Sequence, residues 1–375
     1  ALKADIESFA MKESKIDEIS LFEGDLHVGN CVSSVLFLNG TKLYYKPRGA
    51  ANEKFIMSII SALDKMGLSI QFGIPAFIDR ENYSWHFQVK PCDMKNSDSI
   101  NEYYYNLGKI QALLYLLGAQ DIIPDNLIVI GNCPYIIDSE SVVLKKFKHL
   151  DSTKISAYLQ SSVLETGILP DWMFNGANDR SQISSVLFEF DDSNFHLPRK
   201  EGKSYPITAE TLQDLEKGFT DACNFMRAHK LDLLSYIYSY DFNFMRSRVL
   251  LHPTVIYSYI LTEMVTPPYL HGGKNIEDLI EPIIRKESYG LLSIPLIHSV
   301  ASQIEKGDIP YYFMYLNKNS LYTLPNDIVV DDWIPVESKG ATIIAEKLSA
   351  LSSKVQEEQL CMIDESVNFF LDVIG

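Results

Sequence analysis

Basic charge is scarce: the 375 residues carry 33 Lys and Arg against 49 Asp and Glu, a formal net charge of −16. A chain this acidic repels nucleic acid and anionic lipid unless its few cations gather locally. A positively charged segment or a metal-bound anion fits better as a partner. Cysteine is sparse too. Cys31, Cys92, Cys133, Cys223 and Cys361 are scattered, odd in number and never spaced Cys-x-x-Cys. That argues against a disulfide framework or a zinc site and reads as reduced, partly buried thiols of a cytoplasmic protein. No apolar run reaches the eighteen or so residues of a membrane span, and Gly118 ends the one around residues 113–117. The opening Ala1-Leu2-Lys3-Ala4-Asp5 lacks a secretory pattern, and the missing initiator Met reads as processing or excision from something longer. Repeats, low-complexity tracts and linkers long enough to separate independent domains are absent as well.

What is present suffices for a real core, with 46% apolar and 22% charged residues. Residues 32–38 and 41–46 are β-rich and joined by Asn39-Gly40, both of which tolerate the positive φ of a tight hairpin. Phe55, Ile56, Ile59, Ile60 and Leu63 then recur at helical spacing, with Gly67 closing the helix, and residues 83–90 alternate as a strand. Residues 100–117 form an apolar helix central to a second lobe, and residues 127–130 and 135–137 a second hairpin turning at Gly131-Asn132. From about Lys154 helix signals dominate. Leu212, Leu215, Phe219, Cys223 and Met226 share one face, and a long terminal helix begins near Ala341. The expected class is α+β and two-lobed: a small β-rich lobe over residues 1–95 and a larger, mostly helical lobe over residues 96–375.

The chemistry concentrates between the two lobes. Asp121-Ile122-Ile123-Pro124-Asp125-Asn126 precedes the second hairpin and Asp138 follows it. An antiparallel hairpin brings the residue before its first strand beside the one after its second, so Asn126 and Asp138 should meet with Asp121 nearby. Three oxygen-bearing side chains at one edge suit Mg²⁺ held together with substrate phosphates. The spacing of Asp121 and Asn126 also matches the protein-kinase catalytic loop, whose Asp takes the hydroxyl proton and whose Asn binds metal. Taken alone, these residues serve as well to bound a turn and cap a helix. Upstream, Lys46 ends a strand as the phosphate-pairing Lys of a kinase small lobe does, and Glu53 opens a helix from which it can pair with that Lys. No G-x-G-x-x-G precedes them; the loop there is Gly24-Asp25-Leu26-His27-Val28-Gly29-Asn30. Strand Lys, Asp-x₄-Asn, hairpin and Asp in this order favour a kinase-like phosphotransferase using ATP and Mg²⁺. The aromatic runs 103–105, 242–245 and 311–314 read as core packing and His271-Gly272-Gly273-Lys274 as a plain turn.

In order along the chain, several motifs resemble one family. They are Gly24-Asp25-x-His27, Tyr45-Lys46-Pro47-Arg48, Leu116-Leu117-Gly118 with Asp121 and Asn126, and Ile137-Asp138-x-Glu140. Gly167-x-Leu169-Pro170-x-Trp172, Gly218-Phe219, Arg248 with Thr254 and Tyr257, and Gly307-Asp308-Ile309-Pro310-Tyr311 follow. From about residue 20 to the end this resembles the dehydratase domain of class II lanthipeptide synthetases. The resemblance implies a fold similar to lipid kinases and a two-step reaction on a ribosomally made precursor peptide. ATP phosphorylates a Ser or Thr, and phosphate is then eliminated to leave dehydroalanine or dehydrobutyrine. By match, Asp121 is the base or hydroxyl-orienting residue and Asn126 and Asp138 are Mg²⁺ ligands. Asp25, His27, Lys46, Arg248 and Thr254 fall at positions tied to elimination or phosphate handling, with Lys46 and Arg248 fitting as phosphate clamps. In isolation Arg248 reads as a surface salt bridge.

Two positions depart from the family pattern: Ile123 stands where His is usual and His252 where Arg is usual. His252 would aid a departing phosphate only while protonated. The stretch holds no Cys–His pair of the kind a cyclase uses for zinc, so ring closure is not expected from it, and a separate cyclase is a candidate partner. Two readings compete. A phosphotransferase acting on a small molecule or lipid has no use for Arg248 with Thr254, and a non-catalytic peptide-binding scaffold need not bind Mg-ATP.

Overall fold

The computed structural model describes residues 5, 15–95, 98–143, 162–170, 185–189, 193–252, 254–270, 277–287, 292–333 and 340–374. Trp172, the turn at residues 271–274 and the helical onset expected at Lys154 lie outside them. The N-terminal sheet contains β1 (Ile16–Ser20), β2 (Ser33–Phe37), β3 (Lys42–Lys46), β4 (Phe77–Asp79) and β5 (Ser84–Phe87), antiparallel in the order β1-β2-β3-β5-β4. Asn39-Gly40 turns the hairpin between β2 and β3, with Ser33 opposite Tyr45 and Leu36 opposite Lys42. Strand β1 carries no alternating pattern because it lies exposed at the sheet edge. Strand β5 ends at Phe87, short of the expected residue 90. Val35, Phe37, Leu43 and Trp85 form the sheet's own small core.

Helix α1 (Ala51–Met66) buries Phe55, Ile56, Ile59 and Leu63 completely and ends at Gly67, whose N–H bonds the carbonyls of Leu63 and Asp64. That face joins the main core, with Leu107, Leu113 and Phe219, rather than the sheet's own core. Helix α2 (Ile100–Leu117) has the expected bounds and is buried along most of its length. It is followed by a hairpin of β6 (Leu127–Ile130) and β7 (Cys133–Ile136), paired Leu127 with Ile136. After the short pair β8 (Arg199–Lys200) and β9 (Lys203–Ser204), helix α3 (Ala209–Ala228) lies against α2. The approach is so close that a Cβ on Gly108 would strike the Leu215 carbonyl and one on Gly218 the Tyr105 carbonyl. Glycine is required at both sites by backbone-to-backbone contact.

Residues 96–375 are less helical than expected. Beyond α4 (Lys230–Ser239) comes an antiparallel sheet of β10 (Arg246–Val249), β11 (Tyr312–Tyr315), β12 (Leu321–Thr323) and β13 (Asp327–Val330). Helices α5 (Thr254–Met264), α6 (Pro267–Leu270), α7 (Glu277–Glu287) and α8 (Ile294–Ile304) lie between its first two strands in sequence. The aromatic run at residues 311–314 leads into β11 and forms most of it, with apolar residues on both faces. Tyr312 and Met314 join a second core with Tyr257, Ile284 and Val300, while Tyr311 and Phe313 pack on Tyr322. Two-sided burial removes the alternation that marks an ordinary strand. The expected long terminal helix is two helices, α9 (Gly340–Ala350) and α10 (Ser353–Ile374). Ser352 breaks it by accepting the Val355 N–H on its hydroxyl, the N-cap chemistry that serine favours. All five cysteines are free; Cys92 and Cys361 are exposed rather than partly buried. Among the described residues no helix is long and apolar enough to cross a membrane.

Candidate active site

A cavity of about 880 Å³ opens between the two sheets, and eight of the ten expected site residues line it: Asp25, His27, Lys46, Asp121, Asn126, Asp138, Arg248 and Thr254. Hairpin register accounts for its floor. Since Leu127 faces Ile136, Asn126 faces Ile137 and accepts its N–H on the backbone carbonyl, one residue short of the expected facing of Asp138, although both Asn126 and Asp138 line the cavity. Asn126 closes the short turn Pro124–Asn126 and donates from Nδ2 to the Asp121 carbonyl at 2.9 Å. Asp121 has a φ of 65°, an uncommon conformation for a residue with a side chain. It is held there by Asn126 on one side and by the Ile122 N–H bonded to the Thr166 carbonyl on the other. Burial pushes the Asp121 carboxyl up to about 6, with Arg248 working against the rise and Asp138 and Glu140 adding to it.

The end of β3 and the turn after it supply cations. Lys46, the last residue of β3, donates to the Ile137 carbonyl at 2.6 Å and stands 3.8 Å from Asp138. Burial lowers its ammonium from the ordinary value, and Arg48 adds to that effect. Glu53 does not pair with Lys46 as expected. It is buried outside the cavity lining and binds Arg48, whose Nη2 lies 2.9 Å from one Glu53 oxygen and 2.7 Å from Asp138. A guanidinium reaches two carboxylates in one plane, which a single ammonium does less well. Although burial works the other way, Lys46 and Arg48 hold the Asp138 carboxyl well below the usual range.

The far wall is built from residues distant in sequence. Arg248 on β10 donates to Glu140 at 2.6 Å, lies over the Tyr311 ring at 5.2 Å and is 8% exposed. Its Nε and Nη2 are buried without a hydrogen-bond partner. Tyr311 also donates to Glu140, at 3.0 Å. The loop with Asp25 and His27 docks on the segment before β11: His27 Nδ1 donates to the Ile309 carbonyl at 2.8 Å, and the Ile309 N–H bonds Leu26. Burial, then Arg248, lowers the His27 imidazole, which keeps it neutral with Nε2 as acceptor. Glu140, Arg48 and Tyr311 stand in the sequence only as motif letters; apart from the local Arg48–Glu53 pair, their polar roles depend on contacts across 90 to 171 residues. His252 is not part of this wall. It is 4% exposed, hydrogen-bonded through Nδ1 to the Tyr257 hydroxyl at 2.9 Å, and absent from the cavity lining. The preceding strand carries Arg248 into the cleft, whereas the turn into α5 tucks His252 under Tyr257.

The family model described as "Domain of unknown function (DUF4135)" matches residues 1–204 and 193–315. The chain belongs to that family. It is also 25% identical over 350 residues to the lacticin 481/lactococcin biosynthesis protein LcnDR2 of Lactococcus lactis subsp. lactis, an alignment covering 82% of this chain. The chain spans 37% of that relative's length. With the family match, this makes the protein a lanthipeptide-synthetase relative, as the motif order implied.

In this DUF4135 protein the donor set is consistent with magnesium and phosphate. Among the described residues no three His, Cys, Asp or Glu side chains are grouped to hold a metal. Magnesium needs no such cage, since it keeps waters and shares substrate phosphates. Asp138, with its side chain 31% exposed, gives Oδ1 to Arg48 and has only the long Lys46 contact at Oδ2. Asn126 spends its amide nitrogen on the loop. One oxygen of each is therefore suited to a cation. The two orphaned donors of Arg248 are suited to an anion, because buried N–H groups left unpaired are costly until a ligand satisfies them.

Proposed function

We propose that this protein dehydrates Ser and Thr residues of a ribosomally made precursor peptide, by phosphorylation followed by phosphate elimination, on a kinase-like two-lobed scaffold in the cytoplasm. The observation that carries this reading is the sharing of one cavity by the Asn126–Asp138 pair and the Arg248–Thr254 wall. Bound Mg-ATP would supply the phosphoryl group, with Asn126 and Asp138 holding the metal and Lys46 the phosphates. Asp121 accepts the proton of the attacking hydroxyl; a carboxyl titrating at about 6 is ionised at neutral pH yet more basic than an ordinary Asp. In the second half-reaction the Cβ–O bond breaks and its electron pair leaves with phosphate. Arg248 and Thr254 take up that charge. His27, neutral and with Nε2 as its acceptor, takes the α-proton. The phosphorylated side chain meets these groups without leaving the cavity, which removes a second encounter.

The test is mass spectrometry of a Ser/Thr/Cys-rich precursor peptide incubated with the protein and Mg-ATP. Gain of phosphate followed by net loss of water is expected, and Arg248→Ala should accumulate the phosphopeptide. A phosphopeptide that wild type never dehydrates would mark a simple phosphotransferase. An unmodified peptide would mark a binding scaffold.

A further inference from the structure

Arg248 has a fixed supporting shell that the two-step reaction alone does not explain. Glu140 takes one Arg248 nitrogen at 2.6 Å and the Tyr311 hydroxyl at 3.0 Å, and it stands 3.6 Å from Arg48 Nε. The carboxylate thus sits between the arginine of the small lobe and the arginine of the far wall. Tyr311 touches Arg248, His27 and Glu140. Its ring underlies Arg248 and lies 5.0 Å from the His27 ring, and its hydroxyl fixes Glu140. Its own backbone is tied at both ends, the N–H to Gln303 and the carbonyl to Thr323. We propose that Tyr311 is a positioning residue for Arg248: it anchors Glu140 so that the carboxylate occupies one nitrogen and leaves Nε and Nη2 unpaired, as donors for a phosphate.

The physical reason lies in the carboxylate's need for donors. Without the hydroxyl, a largely buried Glu140 would seek its missing hydrogen bond from Arg248 Nη2 or from Arg48. Either movement takes up or turns the guanidinium edge that an anion needs, since bidentate recognition depends on both nitrogens. Arg48, by contrast, retains Glu53 and Asp138, so the phosphorylation side of the cavity is buffered. The proposal rests on the two-step reading, and it predicts that the two half-reactions respond unequally.

The experiment compares wild type with Tyr311→Phe, which keeps the ring, and Tyr311→Leu, which loses ring and hydroxyl. Elimination is measured from a pre-phosphorylated peptide, phosphorylation from the plain peptide with Mg-ATP, and inorganic-phosphate affinity by calorimetry. Tyr311→Phe should slow elimination and weaken phosphate binding about tenfold, the scale of one hydrogen bond to a charged group. Tyr311→Leu should do more, and phosphorylation should fall several times less than elimination in both. Unchanged elimination and phosphate binding in Tyr311→Phe would overturn the proposal. So would a parallel fall of both half-reactions accompanied by a lower Tm, the mark of a merely structural role. If wild type modifies no peptide, the two-step reading fails by itself. Phosphate affinity then still decides on Tyr311, equal values in wild type and Tyr311→Phe refuting it.

Discussion

Asp121→Asn should remove the reaction and yet stabilise the protein at neutral pH. The carboxyl is pushed from an ordinary 3.8 to about 6, chiefly by burial, so its charged form is disfavoured in the folded state. At about 1.4 kcal/mol per pH unit, that displacement makes the ionised group cost roughly 3 kcal/mol. Solvent reaches part of the side chain, so about 1–2 kcal/mol is the expectation. The sign follows from linkage. Below about pH 4 the carboxyl is protonated in both folded and unfolded chains and costs nothing. Between about 4 and 6 the folded state binds more protons, so stability falls as pH rises. Above that range the full penalty persists. Asparagine carries no charge, and it tolerates the φ of 65° at least as well as aspartate. The Asn126 bond survives because it reaches the backbone carbonyl. Urea unfolding of both proteins at several pH values is the assay. The stability difference should be near zero at pH 4, reach about 1–2 kcal/mol in favour of the variant above pH 6.5, and accompany a loss of phosphorylation of ~10² or more. A variant destabilised equally at every pH would refute the burial argument.

Three further outcomes follow from the same contacts. Asp138→Asn should lower phosphorylation by ~10² or more, and it should also cost about 3 kcal/mol in chemical unfolding at pH 7, because Lys46 and Arg48 lose their shared partner inside the cleft. Since that carboxyl is held below the usual range, the wild-type advantage should be present above about pH 4 and fade on acidification. His252→Arg should leave the pH profile of elimination parallel to wild type while lowering Tm, because an always-charged side chain would be forced into a site now 4% exposed and bonded to Tyr257. Gly218→Ala should destabilise the protein by about 3 kcal/mol or more, read by thermal unfolding, since its methyl would meet the Tyr105 carbonyl of the facing helix.

Local chemistry was legible from residues alone. Asn39-Gly40 marked the first hairpin, the spacing from Phe55 to Leu63 and Gly67 gave α1 and its end, and residues 100–117 gave α2 without correction. The hairpin itself followed from sequence, but its register sets Asn126 opposite Ile137, one residue short of the expected Asp138, because the return strand ends at Ile136. What escaped was decided by segments far apart. The sheet of β10 to β13 was hidden because its aromatic strand is buried on both faces, so no period of two remained. Glu53 is no partner for Lys46 because folding sets Arg48 against it, and His252 is no phosphate ligand because the turn into α5 places it under Tyr257. The wall of Arg248, Glu140, Tyr311 and His27 joins positions up to 284 residues apart. Sequence pattern fixes which face of an element is apolar; which polar groups then share a dry cavity depends on how those faces pack, and only tertiary structure decides that.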